Sequence, residues 1–155
     1  MDDNEREQRK RVCAIARSWI GTPFADNGEV KGPNGGVDCA RLLRLTFVEA
    51  GLIESIKIPD YSPQWFLHQS EEKFLVWVMQ LGGREIPEAQ AIFGDIVVYK
   101  MGHCYAHGAI IIEPGWPAIV HSYFQARRVV RSGGLDGQLG RAKHVRKFFS
   151  RWASG

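Results

Sequence analysis

No apolar run in the 155 residues approaches the ~20 that a membrane-spanning helix needs, so no membrane association is expected. The opening Met1-Asp2-Asp3-Asn4-Glu5-Arg6 is polar with no apolar core behind it, which argues against a secretion signal. If the protein works outside the cytoplasm, something else must carry it there. Cysteine is scarce: Cys13, Cys39 and Cys104 are odd in number and form no CxxC pair. That argues against a disulfide framework and leaves each cysteine as packing, ligand or nucleophile. Internal repeats and low-complexity stretches are missing. Hydrophobic residues at 45% against 24% charged exclude a wholly disordered chain. A chain of this length buries roughly 70% of its unfolded surface without a metal or disulfide staple. One domain over residues 1–155 is the economical reading.

The net charge of +3 is unevenly spread. Residues 127–155 carry eight Lys or Arg against the single Asp136, a net of +7, whereas residues 1–126 carry 12 basic and 16 acidic side chains, a net of −4. A basic end can meet an anionic partner. No aromatic-basic motif accompanies it, so a solvated face is favoured and no nucleic acid is expected.

Periodicity predicts a first helix over about Glu5 to Ile20, with Val12, Ile15, Ala16, Trp19 and Ile20 on its buried stripe and Arg6, Arg9, Lys10, Arg11 and Arg17 mostly opposite. Gly21-Thr22-Pro23 ends it, and a long loop runs to Val37. A second helix, from Asp38 to Ala50, is apolar around most of its circumference and therefore central; Asp38 is its N-cap. After a loop over 52–63, a third helix is expected from Gln64 to Leu81, closed by Gly82-Gly83. The stretches 94–100, 106–113, 117–123, 127–132 and 144–149 read as strands, and Glu113-Pro114-Gly115-Trp116 as the turn joining the second and third of them. Helices followed by strands is the α+β pattern, with an antiparallel five-stranded sheet.

Cys39 follows the N-cap directly. The unsatisfied N–H groups of a first helical turn favour thiolate there and can hold the oxyanion of a tetrahedral intermediate. A small buried residue is the competing use of that position. His107 opens a strand beside Gly108, a glycine that clears space around it. The hairpin turn sets His121 about opposite His107 on the neighbouring strand, which brings two imidazoles together. A nucleophile, a base and a residue that orients the base is the triad logic generalised. Metal is the rival use: His103-Cys104-x-x-His107 with His121 offers four ligands, but leaves Cys39 idle.

The order Trp19-Ile20-Gly21-Thr22-Pro23-Phe24, Gly36-Val37-Asp38-Cys39-Ala40-Arg41-Leu42, Phe93-Gly94-Asp95-Ile96-Val97, His107-Gly108-Ala109-Ile110 and Val120-His121 resembles the NlpC family of papain-like cell-wall cysteine peptidases. The likeness runs from about residue 12 to 123, and the 31–39 stretch is similar to members borne by phage tails or gene-transfer particles. It implies a papain-like fold in which N-terminal helices and a central Cys-bearing helix pack on the sheet. It implies an endopeptidase that cuts peptidoglycan stem peptides, commonly at the D-γ-glutamyl-diamino acid bond. Cys39 is then nucleophile, His107 base and His121 the residue orienting it, with no metal or other cofactor. Asp38, Phe24, Ala40 and Arg41 fall at the substrate and oxyanion positions, and Gly94-Asp95 is structural. Peptidoglycan peptides, and phage tail proteins if the chain rides a virion, are the implied partners. The expectation is a protein that is virion- or tail-associated, or cytoplasmic until something else carries it to the cell wall. Phe24 replaces the family's usual tyrosine, and Ala40-Arg41 its serine and glycine. These departures keep two alternatives open: a catalytically altered tail-associated structural protein, and an amidase or acyltransferase acting on another substrate.

Overall fold

The computed structural model describes residues 1–55, 72–141 and 145–153. Helix α1, Asp3–Ser18, begins where the Asp2 carboxylate accepts the Glu5 N–H at 2.7 Å. Val12, Cys13, Ala16 and Trp19 are buried, whereas Ile20 lies past the helix end and is exposed. Arg9, expected on the solvent side, is instead buried. It donates to Asp95 Oδ1 at 2.8 Å and to the Phe93 carbonyl at 2.9 Å, which pins α1 to the entry of a central strand.

The loop after α1 contains the short strands β1, Glu29–Val30, and β2, Gly36–Val37, paired antiparallel. Helix α2, Cys39–Glu49, follows Asp38 as expected and is buried on most sides. Helix α3 spans Lys73–Gln80; the 64–71 part of the expected third helix, and most of the loop expected before it, lie outside the described residues.

Among the described residues the main sheet has six strands rather than five, in the order β3-β8-β4-β5-β6-β7. These are β3, Arg84–Ile86; β4, Ile96–Met101; β5, Cys104–Ile111; β6, Ala118–Tyr123; β7, Arg128–Gly133; and β8, Arg146–Ser150. β3 is the added edge strand, and its three residues are too few to show an alternation. Every pairing in the sheet is antiparallel.

One sheet face carries Val98, Ile110 and Val120 against Val12, Ala16, Leu42, Leu43, Phe47, Phe74 and Val78 from α1, α2 and α3. The other carries Val97, Tyr99, Ala109, Ile111 and Ile119 with Leu139 of the short helix α4, Gln138–Arg141. Gly108 makes the first packing possible, since a Cβ there would stand 2.9 Å from Leu43 and Phe74 atoms. The glycine therefore clears space for α2 and α3, not for the neighbouring imidazole.

Three basic residues of the C-terminal end meet acids of the earlier chain. Arg131 pairs with Glu113, Arg146 with Glu88 and Lys147 with Glu85. Among the described residues, no helix is long and apolar enough to cross a membrane.

Candidate active site

The start of α2 is held by one buried carboxylate. Asp38 Oδ1 accepts the Arg41 N–H at 2.9 Å, and Oδ2 accepts the Asn27 N–H at 2.7 Å and Arg41 Nη1 at 3.0 Å. Ser122 Oγ donates to the Val37 carbonyl at 2.6 Å and so ties β6 to the residue before the cap. Together these bonds fix where Cys39 emerges.

Cys39 meets β5 where a ladder stops. The β5–β6 pairing is Ile111↔Ile119 and Ile110↔Val120, and it goes no further toward the start of β5. Past that point the thiol takes the place of a strand. Cys39 Sγ donates to the Ala106 carbonyl at 3.6 Å, and the Gly108 N–H points at the sulfur. The sulfur thus touches the backbone on both sides of His107. Ala106 is the additional residue where the β4–β5 register slips between Tyr99↔His107 and Lys100↔Tyr105. Such bulges end or re-aim pairing next to functional sites.

The His107 side chain leaves β5 on the same face as its partner Tyr99, with ring centroids 5.9 Å apart. His107 Nε2 lies 2.7 Å from His121 Nδ1. Extended past its last pair, the β5–β6 register would set 107 opposite 123, so the imidazoles meet diagonally and not as the directly opposed pair expected. Tyr123 stacks on the His121 ring at 4.6 Å and also flanks His107 at 5.5 Å. His121 Nε2 lies 2.8 Å from Ser132 Oγ on β7. His107 makes no hydrogen bond through Nδ1, the ring nitrogen nearer its own backbone, among the described residues.

The charge state departs from expectation. Burial, then the neighbouring Asp38 carboxylate, push the Cys39 thiol up to about 12, against the lowering expected at a helix start. Burial pulls His121 down to about 4, and burial together with His121 holds His107 well below its ordinary value. The resting site is therefore a neutral thiol beside neutral imidazoles.

The expected substrate positions divide. Arg41 is 1% exposed and turned inward, with Nε 3.3 Å from Glu29 and Nη1 on Asp38, so it braces the cap instead of facing a substrate. Asp38 is likewise buried and spent on the cap. Ala40 is buried and lines a small cavity between α2 and α3 with Leu43, Phe74 and Trp77. Phe24 is half-buried and packs edge-on against the exposed Phe124 at 5.6 Å, where the loop runs beside β7. Asp95 is structural, through Arg9. The residues of the metal alternative do not converge: Cys104 lies in the cluster on the α2 face, and the two histidines stand on the other. Among the described residues, no three His, Cys, Asp or Glu form a metal-holding group.

Tyr123 and Ser132 are site residues that the sequence reading missed. Tyr123 was within reach, because it lies two residues after His121 in a strand and so shares its face. Ser132 requires the β6–β7 register, which the sequence does not display.

A six-stranded antiparallel sheet with a cysteine-bearing helix abutting it at the base of two bonded imidazoles is a papain-like α+β arrangement. Within that class, the chain has the NlpC/p60 fold. It is similar to the peptidoglycan hydrolase RipB of Mycobacterium tuberculosis, at 24% identity over 86% of this chain and 62% of that one, with a TM-score of 0.57. The P60 domain of an antigen from M. avium subspecies paratuberculosis matches at 24% identity over 84% and 88% of the two chains, with a TM-score of 0.55. RipD of M. tuberculosis, described as a non-catalytic NlpC/p60 domain protein adapted to peptidoglycan binding, matches at 20% identity over 81% and 87%, with a TM-score of 0.51. This chain spans less than two thirds of RipB. No protein-family profile and no curated protein matches the sequence.

Proposed function

We propose that residues 1–155 form a single cysteine peptidase domain that hydrolyses peptidoglycan stem peptides, at the D-γ-glutamyl-diamino acid bond. The observation that carries the reading is the Cys39 thiol seated against the backbone on either side of His107, whose Nε2 is already committed to His121. That commitment leaves His107 Nδ1 as the nitrogen assigned here to take the thiol proton. Because both groups rest neutral, the proton moves as the bond forms: Sγ attacks the scissile carbonyl carbon while Nδ1 takes the thiol proton. The first N–H groups of α2 receive the oxyanion. His107 then returns its proton to the leaving amine, and water hydrolyses the thioester. His121 holds the ring throughout. The resemblance in the 31–39 stretch supports a phage or prophage particle as the carrier to the wall.

Mass spectrometry of muropeptides tests this. The protein should release fragments with a new amino terminus at the diamino acid, and Cys39→Ala should release none. Equal release by Cys39→Ala would exclude the thiol.

A non-catalytic wall-binding role is the second reading. The deep burial of Cys39 and the inward turn of Arg41 favour it, as does the likeness to RipD. Retention on purified peptidoglycan with no product from the wild type would select it.

A further inference from the structure

We propose that Tyr123 is a positioning residue for the histidine pair: the flat of its ring, and not its hydroxyl, closes His107 and His121 off from solvent and so keeps them in the uncharged form that can accept a proton. The inference rests on the reading of His107 and His121 as the catalytic pair.

The β5–β6 ladder ends at Ile110↔Val120, so no strand pairing closes the space beside His107 beyond that point. Aromatic rings do so instead. Tyr99, from β4, is fully buried, lies 5.9 Å from His107 between ring centroids and spends its hydroxyl on the Gly134 carbonyl at 2.7 Å. Tyr123 follows His121 by two residues and shares its face of β6. Its ring stacks on His121 at 4.6 Å, with 22° between the planes, and lies 5.5 Å from His107 at 48°. His121 is fully buried and His107 nearly so, whereas Tyr123 is half-buried. The ring in contact with both imidazoles is therefore one that also reaches solvent.

The Tyr123 hydroxyl makes no hydrogen bond among the described residues, so the contact is made by the ring. Burial is the chief reason that both histidines stay neutral, and water admitted to either would make its charged form less costly. The groups that meet the pair are Tyr99 from β4, Tyr123 from β6, Ser132 from β7 and, beside the His107 backbone, the Cys39 thiol from α2. The carboxylates of Asp38 and Asp136 act on Cys39 and Tyr99, and Arg146 opposes Asp136 at Tyr99. Arg128 stands opposite Tyr123 in the β6–β7 register and is exposed. A cation there disfavours an imidazolium, so it cannot be the source of a rise in proton affinity when the ring is removed.

Nitrogen-15 spectra of histidine-labelled protein, recorded across pH 3.5–8, read each imidazole's titration. Tyr123→Ala should lift the His121 midpoint from about 4 to above about 5, toward the ordinary ~6.5. The acid limb of kcat/KM, which reports the base of the free enzyme, should move up with it. Tyr123→Phe, which keeps the ring and loses the hydroxyl, should match the wild type in both. If Tyr123→Ala does not fold, Tyr123→Leu carries the same test with a smaller rise. Wild-type histidines that titrate near 6.5, a His121 midpoint unmoved in the folded alanine or leucine variant, or a phenylalanine variant that shifts as far as alanine would each overturn the assignment. The midpoints need no turnover, so a wild type that releases no muropeptide would refute the hydrolase reading while the cover is still judged by the spectra.

Discussion

Two buried polar pairs sit in this molecule, and they are built oppositely. Arg9 and Asp95 are 4% and 1% exposed and meet as unlike charges, with further bonds from Arg9 to Glu5, Phe93 and Ser150. His107 and His121 are 7% and 0% exposed, bond each other, and have no carboxylate partner among the described residues. The first pair joins α1 to the start of β4; burial raises the Asp95 proton affinity, and Ser150, the Ile92 N–H and Arg9 oppose that rise. The second is kept neutral by burial, with one ring nitrogen unspent. Burial alone does not separate architecture from chemistry; the unspent nitrogen does.

The largest effect expected from breaking this contrast is catalytic. His107→Ala should lower kcat by roughly 10²–10⁴-fold while leaving the melting curve near that of the wild type, the range for loss of a general base. His121→Asn should retain part of the activity, since an amide still receives a hydrogen bond. The double variant His107→Ala/His121→Ala should lose little more than His107→Ala, because the two act as a unit. Additive losses would show that the histidines work independently.

Next in size is the ion pair. Arg9→Ala strands the Asp95 carboxylate in the interior and should cost about 3–5 kcal/mol in denaturant unfolding. A loss below about 1 kcal/mol would mean that the pair is surface-like despite its burial.

Acid sharpens the comparison more gently. His121 titrates at about 4 in the fold and near 6.5 when unfolded, so the unfolded chain binds more protons between those values. Stability should hold above pH 6.5 and fall as the pH drops toward 4, by about 1.4 kcal/mol per unit for this histidine. Denaturant melts at pH 7.5 and 4.5 measure it, and His121→Asn should flatten the slope; an unchanged slope in that variant would assign the acid sensitivity to other groups.

The place of Cys39 at the start of α2 and the meeting of His107 with His121 were legible because each is announced locally: a cysteine behind an N-cap, and histidines at a strand mouth and in a facing strand. Arg9 was misplaced because helical periodicity sorts residues by angle and carries no knowledge of a partner 86 positions away. Ser132 was invisible for a related reason. The turn after β6 contains Arg127 at φ +60°, and that backbone choice sets the β7 register without a glycine to advertise it. The thiol's raised proton affinity was missed because helix position suggests one sign, while burial and Asp38 supply the other. β3 went unseen for lack of length.

The extra residue at Ala106 also works as a phase slip. Strands repeat every two residues, so an insertion of one residue ordinarily turns everything beyond it over. Here the ladder from Ile96↔Ile110 to Tyr99↔His107 is anchored on one side of the slip, and the Lys100↔Tyr105 tip lies on the other. The tip of this hairpin can therefore gain or lose residues without changing the side on which His107 stands, which separates the part of the strand pair free to diversify from the part that must keep step with Cys39.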